Sequence, residues 1–147
     1  MSVWTHVAGV IRADAFRFED DPKPDWNELI GHPYLWGSMR EDGDYLMSHP
    51  EQWMPSGSEG SLQYSVWENP NMSHITAYVI SVFGDLRDYD DTDAIVEWFK
   101  KVCSRLWVRN AVIEADCGDG SPQVWSYTRD GGEEDDADED DGEDDDS

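Results

Sequence analysis

Positively charged residues are scarce in this chain, which is strongly acidic. Ten lysines and arginines stand against 34 aspartates and glutamates, so the formal net charge of the 147 residues is −24. Residues 130–147 hold 13 of these acids and no Lys or Arg; subtracting them leaves 21 acids against all ten cations, a net charge of −11 for residues 1–129. Direct binding to nucleic acid needs clustered Lys and Arg and is not expected. A positively charged protein is the better electrostatic match.

Cysteine and histidine are scarce too, and they form no recognisable site. Cys103 and Cys117 lack the spacing of a metal or redox motif, which favours a reduced chain in the cytoplasm. The four histidines are scattered, and the acids between Asp85 and Asp93 lack the glycine and glutamate that an EF-hand loop beginning at Asp88 would need. No nucleophile motif is present. The sequence therefore predicts no catalytic residue, no cofactor and no metal ion.

Long apolar runs are absent as well. No stretch approaches the length of a membrane-spanning helix. The first residues, Met1–Trp4, lack the basic region and the apolar core of a signal peptide. We expect a soluble, cytoplasmic protein. An enzyme would require a cluster of chemically active side chains that comes together only in space.

The richest run of β-branched and aromatic residues, His74–Leu86, predicts a strand near the middle of a sheet. Its apolar residues alternate onto both faces, which suggests a strand covered on both sides or nearly so. Further strands are predicted over Val3–Ala13, Arg109–Asp116 and Gln123–Tyr127, and residues 61–86 form a predicted hairpin.

One long helix is predicted over residues 91–106, because apolar residues recur there at three- and four-residue spacing. The order of strand, irregular helical region, hairpin, helix and strand over residues 2–127 resembles a ferredoxin-like α+β fold. The alternative is an antiparallel sheet of four to five strands with this helix packed on one face. Residues 1–129 are predicted to form a single globular α+β domain, and residues 130–147 a disordered acidic tail.

Two segments carry a resemblance to known proteins. The sequences WTHVAGVIR at Trp4–Arg12 and WMPSGSEG at Trp53–Gly60 are similar to those of small uncharacterised phage or prophage proteins. Neither segment is a functional signature. The resemblance implies no activity by itself, but it is compatible with a role directed at a host protein.

The function predicted from these features is inhibition of a basic, nucleic-acid-binding host protein by an acidic mimic of DNA, such as a phage anti-restriction or anti-CRISPR protein. The acids supply charge, and loop aromatics supply specific contact; those aromatics are also compatible with pinning a structure-poor stretch onto the sheet. The alternative is a self-assembling structural or assembly factor of phage origin whose tail only keeps it soluble. The predicted partner-binding residues are Tyr34, Trp36, Trp53, Asp88, Asp90, Asp91, Glu133, Glu134, Asp135, Asp136, Asp138, Glu139, Asp140 and Asp141.

Overall fold

A computed structural model describes residues 3–16, 24–33, 53–69, 75–118 and 121–135. Within these ranges the chain forms six strands and two helices. They are β1 Trp4–Phe16, α1 Trp26–Ile30, β2 Gln63–Glu68, β3 Ile75–Arg87, α2 Thr92–Ser104, β4 Trp107–Asp116, β5 Gln123–Thr128 and β6 Gly132–Asp135. All six strands belong to one antiparallel sheet in the order β2-β3-β1-β4-β5-β6.

The predicted fold class, a ferredoxin-like α+β sheet of four to five strands with one long helix, was wrong. The described residues form mostly a six-stranded antiparallel sheet, with 54% strand and 19% helix. Both helices are short: α1 has five residues and α2 has thirteen. The side chain of Asp91 caps α2 by accepting a bond from the Ala94 amide, and the helix ends at Ser104, with Arg105 as its C-cap, rather than at residue 106. The predicted sheet was also too small, because it did not include β6.

The sheet is centred on β1, not on the His74–Leu86 stretch that the sequence favours. β1 pairs with β3 along its whole length and with β4 on its other side, while β3 lies second from the edge. The three strands approach one another closely at Gly9: a Cβ atom there would lie 3.0 Å from both the Val112 carbonyl oxygen and a methyl group of Val82. A larger residue at this position would push on the neighbouring strands, which favours glycine.

One face of the sheet is packed into a core and the other is not. The inner face contributes Val7, Ile11, Ile80, Val82 and Ile113, and helix α2 adds Ile95, Val96, Phe99 and Val102. Met54 and Leu62, which flank the 55–61 loop, are also fully buried. The indole Nε1 of Trp98 donates to the carbonyl oxygen of Ile30 at 3.3 Å, which ties α2 to α1.

On the outer face the pleat turns large apolar side chains toward solvent. Trp67, Phe83 and Val112 are 55%, 39% and 44% exposed. The expectation that β3 is covered on both sides is therefore not met, because its residues at odd positions lie on this outer face. In the described part of the chain, both helices contribute their buried residues to the inner side.

A buried carboxylate joins three strands at one end of the sheet. Asp14 on β1 has a side chain only 5% exposed, and it accepts bonds from Arg109 at 3.0 and 3.2 Å. Arg129, directly after β5, donates to the same carboxylate at 3.1 Å and to the carbonyl oxygens of Trp107 and Val108. Two cations therefore compensate one buried anion.

In the part of the chain that the structure describes, neither helix has the length and apolar character needed to cross a membrane.

Candidate partner-binding surface

The acidic run begins as a strand of the sheet. β6 pairs antiparallel with β5, and its residues Glu133, Glu134 and Asp135 lie opposite Tyr127, Ser126 and Trp125. All of β6 is exposed to solvent. Three consecutive carboxylates are therefore held at the edge of a folded sheet, inside the range that the sequence assigns to a disordered tail.

A tight turn allows this acidic strand to form. The Arg129 amide donates to the carbonyl oxygen of Arg109, and the Gly131 amide donates to the hydroxyl oxygen of Thr128 at 2.9 Å. Gly132 has a backbone φ angle of +78°, which residues with a Cβ atom rarely adopt. The turn brings the next residues alongside β5, whose backbone groups would otherwise be an unpaired edge.

A second group of predicted acids, at Asp88–Asp91, has structural roles. Asp88 has φ of +58° and accepts a bond from the hydroxyl of Ser58 at 2.6 Å. Asp91 is the N-cap of α2, where it accepts from the Ala94 amide at 3.0 Å. Asp90 is exposed. Asp88 and Asp91 therefore make hydrogen bonds that support the fold, and Asp90 takes part in neither of them.

The structure does not bring all the predicted site residues together. Asp88–Asp91 follow β3 and lie beside the start of β1, where the Asp88 amide donates to the Val3 carbonyl oxygen. Glu133–Asp135 belong instead to the edge strand β6. Trp53 is half-buried and forms a parallel bridge with His32, so it packs against its own chain. The remaining predicted residues, Tyr34, Trp36, Asp136, Asp138, Glu139, Asp140 and Asp141, lie outside the described residues.

Four of the basic side chains in the described residues pair with acids of the same chain. Arg87 pairs with Glu59 at 3.0 Å, and Lys100 pairs with Glu97 at 3.3 Å. Arg109 and Arg129 both pair with Asp14. The acids of β6 are exposed to solvent.

A groove of about 390 Å³ lies between the end of α2 and strands β4 and β5. Its lining includes Trp107, Trp125 and Glu133. The guanidinium of Arg129 sits 4.5 Å from the ring centre of Trp107, and the ammonium of Lys100 sits 5.8 Å from that of Trp125. The chain's own cations thus already interact with these aromatic rings.

Comparison of the chain with models of protein families, with curated proteins and with solved structures gave no match. Within the described ranges, no group of three or more His, Cys, Asp or Glu side chains has an arrangement that could hold a metal ion.

The outer-face residues Trp67, Phe83 and Val112 were missed by sequence reasoning. The sequence pattern that points to them is the presence of apolar residues on both faces of the predicted strands. That pattern predicts a strand covered on both sides, but the described part of the chain has few elements that could form a second layer. Apolar residues on both faces of a strand in a small domain can instead mark an exposed surface for binding.

The free cysteine Cys103 is not a candidate nucleophile. Burial raises the pKa of its thiol from 9.0 to about 12, so the thiol remains protonated near neutral pH. In a Cys117→Ser chain at about pH 8, we expect a disulfide reagent to label Cys103 at least ~100-fold more slowly in the native protein than in urea. Equal rates in the two states would contradict this environment for Cys103.

Proposed function

We propose that the protein is an acidic interaction protein that binds a basic, nucleic-acid-binding protein and blocks its nucleic-acid site. The observation that carries the proposal is β6, which presents Glu133, Glu134 and Asp135 from a folded edge strand. The net charge of −24 extends the negative field well beyond this edge and would speed encounter with a cationic surface.

The edge strand holds its carboxylates at a regular interval. An extended antiparallel strand rises about 3.4 Å per residue, and its side chains alternate between the two faces of the sheet. Glu133 and Asp135 therefore share one face about 6.8 Å apart, and Glu134 lies on the other face. A lysine- or arginine-lined groove that receives this edge would meet negative charge on both faces of the strand.

The setting that we propose is the host cytoplasm, with the protein encoded by a phage and directed against a host nuclease or related enzyme. Free cysteines in the described residues, Cys103 and Cys117, are compatible with a reducing compartment. The resemblance of Trp4–Arg12 and Trp53–Gly60 to phage proteins supports a host-directed role.

The proposal predicts that neutralising the acidic edge weakens partner binding. The triple substitution Glu133→Gln, Glu134→Gln and Asp135→Asn keeps the shape of β6 and removes three charges. Exposed ion pairs contribute about 0.2–1 kcal/mol each, so the affinity for a basic partner captured from a bacterial lysate is expected to fall about tenfold. Binding is measured with the full chain at low and high salt.

A control removes negative charge away from β6. Glu28→Gln and Asp93→Asn neutralise exposed acids in the first turns of α1 and α2. This control should retain nearly full affinity. If the triple variant binds as tightly as the unmodified chain, or if the control loses as much affinity for each charge removed, β6 has no specific part in recognition.

The exposed outer face supports a second candidate function, self-assembly. Apolar surface left open to solvent favours association, and Trp67 and Val112 contribute to such a surface here. Sedimentation of the full chain at two concentrations decides between the two. A stable symmetric oligomer together with failure to bind any basic protein would favour assembly over inhibition.

A further inference from the structure

The outer face of the sheet carries apolar side chains from five neighbouring strands, β2, β3, β1, β4 and β5. Strand register places neighbouring side chains on this face: Ala8 and Val10 of β1 lie opposite Phe83 and Ser81 of β3, and Val10 also lies opposite Val112 of β4. We call this set the outer-face patch, and its members are Trp67, Val79, Phe83, Val10, Val112 and Val124.

Three members of the patch are exposed to solvent. Trp67, Phe83 and Val112 are each more than a third exposed, and the three valines at positions 10, 79 and 124 are half-buried. Its central part spans β3, β1, β4 and β5, and four strands at about 4.8 Å spacing cover roughly 14 Å. An α-helix with its side chains is about 10–12 Å across. The patch therefore has the width to receive one helix lying on the sheet.

Carboxylates lie among and beside the apolar members of the patch. Glu114 separates Ala8 from Val124 in one cross-strand row, and Glu134 of β6 lies beyond Ser126 in the row of Val10 and Val112. Asp85 and Asp116 flank His6 at one end, and the Asp85 carboxylate, which pairs with His6, is 61% exposed. Arg12 also lies on this face, opposite Val79, and donates to the Asn110 side chain. Apolar side chains next to mostly acidic ones match an apolar stripe edged by lysine or arginine.

We propose that the outer-face patch is the docking site for a basic amphipathic helix of the partner protein. This inference rests on the proposed function, which it extends by naming the surface and the chemistry of what binds there. The apolar stripe of the helix covers Phe83 and Val112, and its flanking cations meet Glu114 and Glu134. A helix on this face would give the sheet the second covering layer that single sheets normally have.

A second copy of this chain is a poorer occupant. Each copy carries a net charge of −24, and a symmetric pair packed through this face would bring one acidic border close to the other. A cationic helix removes that repulsion and adds attraction. The charge of the surface therefore favours a basic partner over self-association.

The test uses a synthetic helical peptide of about 18 residues, with leucine on one face and lysine on the other, added to the full chain. Phe83→Ala is expected to weaken peptide binding about tenfold and Val112→Ala about threefold, because each removes buried apolar area at roughly 25 cal/mol per Å². Val3→Ala is the matched control: Val3 is 37% exposed, close to the 44% of Val112, but precedes β1 outside the patch. Affinity is measured by fluorescence anisotropy of the labelled peptide.

The result expected is loss of affinity in the Phe83 and Val112 variants and none in Val3→Ala. Equal affinity in all three would overturn the inference. If the Glu133, Glu134 and Asp135 substitutions still weakened capture of a basic partner, the proposed function would stand without this docking site.

Two further results would overturn the docking inference. One is absence of peptide binding at low salt. The other is a dimer in sedimentation that Val112→Ala dissociates, since a second copy would then occupy the patch.

Discussion

Replacing Asp14 with asparagine is expected to lower the free energy of unfolding by about 2 kcal/mol, because it removes the charge of the buried acceptor, while Arg109 and Arg129 remain partly in contact with water. The Asp14 carboxylate is the shared acceptor of Arg109 and Arg129, and it ties β1 to β4 and to the end of β5. An asparagine amide fits the space but supplies one neutral acceptor. Urea denaturation followed by circular dichroism measures the change.

The control for this experiment is Asp90→Asn, the same substitution at an exposed aspartate. Its effect should stay within about 0.5 kcal/mol. If Asp14→Asn were no more destabilising than Asp90→Asn, the ion cluster would not stabilise the folded sheet. The turn that starts β6 follows Arg129 directly, so loss of Asp14 is also expected to loosen the acidic edge.

Phe99→Ala is expected to destabilise the protein by about 4 kcal/mol, since it empties the space of a fully buried ring. Phe99 lies on α2 and packs edge-on against Trp125 of β5, with ring centres 5.8 Å apart. Phe99 therefore links α2 to β5, the strand with which β6 pairs. Urea denaturation of the full chain provides the measurement.

Phe83→Ala is the matched substitution for Phe99→Ala. Phe83 is 39% exposed on the outer face, and its removal should cost about 1 kcal/mol or less. Similar losses for the two variants would mean that the outer face is as closely packed as the inner one, contrary to the description above. The same measurement shows that the Phe83 variant is folded for the peptide experiment.

Sequence patterns located most of the elements, because local apolar periodicity is strong in them. The strand predicted at Arg109–Asp116 corresponds to β4 at Trp107–Asp116, and the strand predicted at Gln123–Tyr127 corresponds to β5. The helix at Thr92–Ser104 falls within the 91–106 prediction. Each has the 2.0 or 3.6 residue period that burial on one side produces.

The sixth strand could not be predicted in this way. Gly132–Asp135 contains no apolar residue, and Asp, Glu and Gly are rare in strands. The pairing comes from tertiary structure, since β5 offers an edge and the turn at Gly132 directs the chain alongside it. Long-range partners were equally hidden: Asp14 meets arginines 95 and 115 residues away in sequence.

Charge identified the candidate function from the sequence, but it did not identify the surface. The predicted acids include Asp91, which caps a helix, and Glu133 and Glu134, which form an exposed edge; their roles differ although their side chains are alike. Only the fold separates structural carboxylates from those available to a partner. The same holds for tryptophan, because Trp67 is exposed whereas Trp125 is buried.

Competition with DNA is the most direct measurement of the central claim. The full chain, immobilised, captures its basic partner from a bacterial lysate at about 50 mM salt, and duplex DNA is then added at increasing concentration. We predict that DNA displaces the captured protein, that high salt does the same, and that the chain in turn inhibits DNA binding by that protein. A captured partner that binds DNA and this chain at the same time, unaffected by salt, would contradict the account.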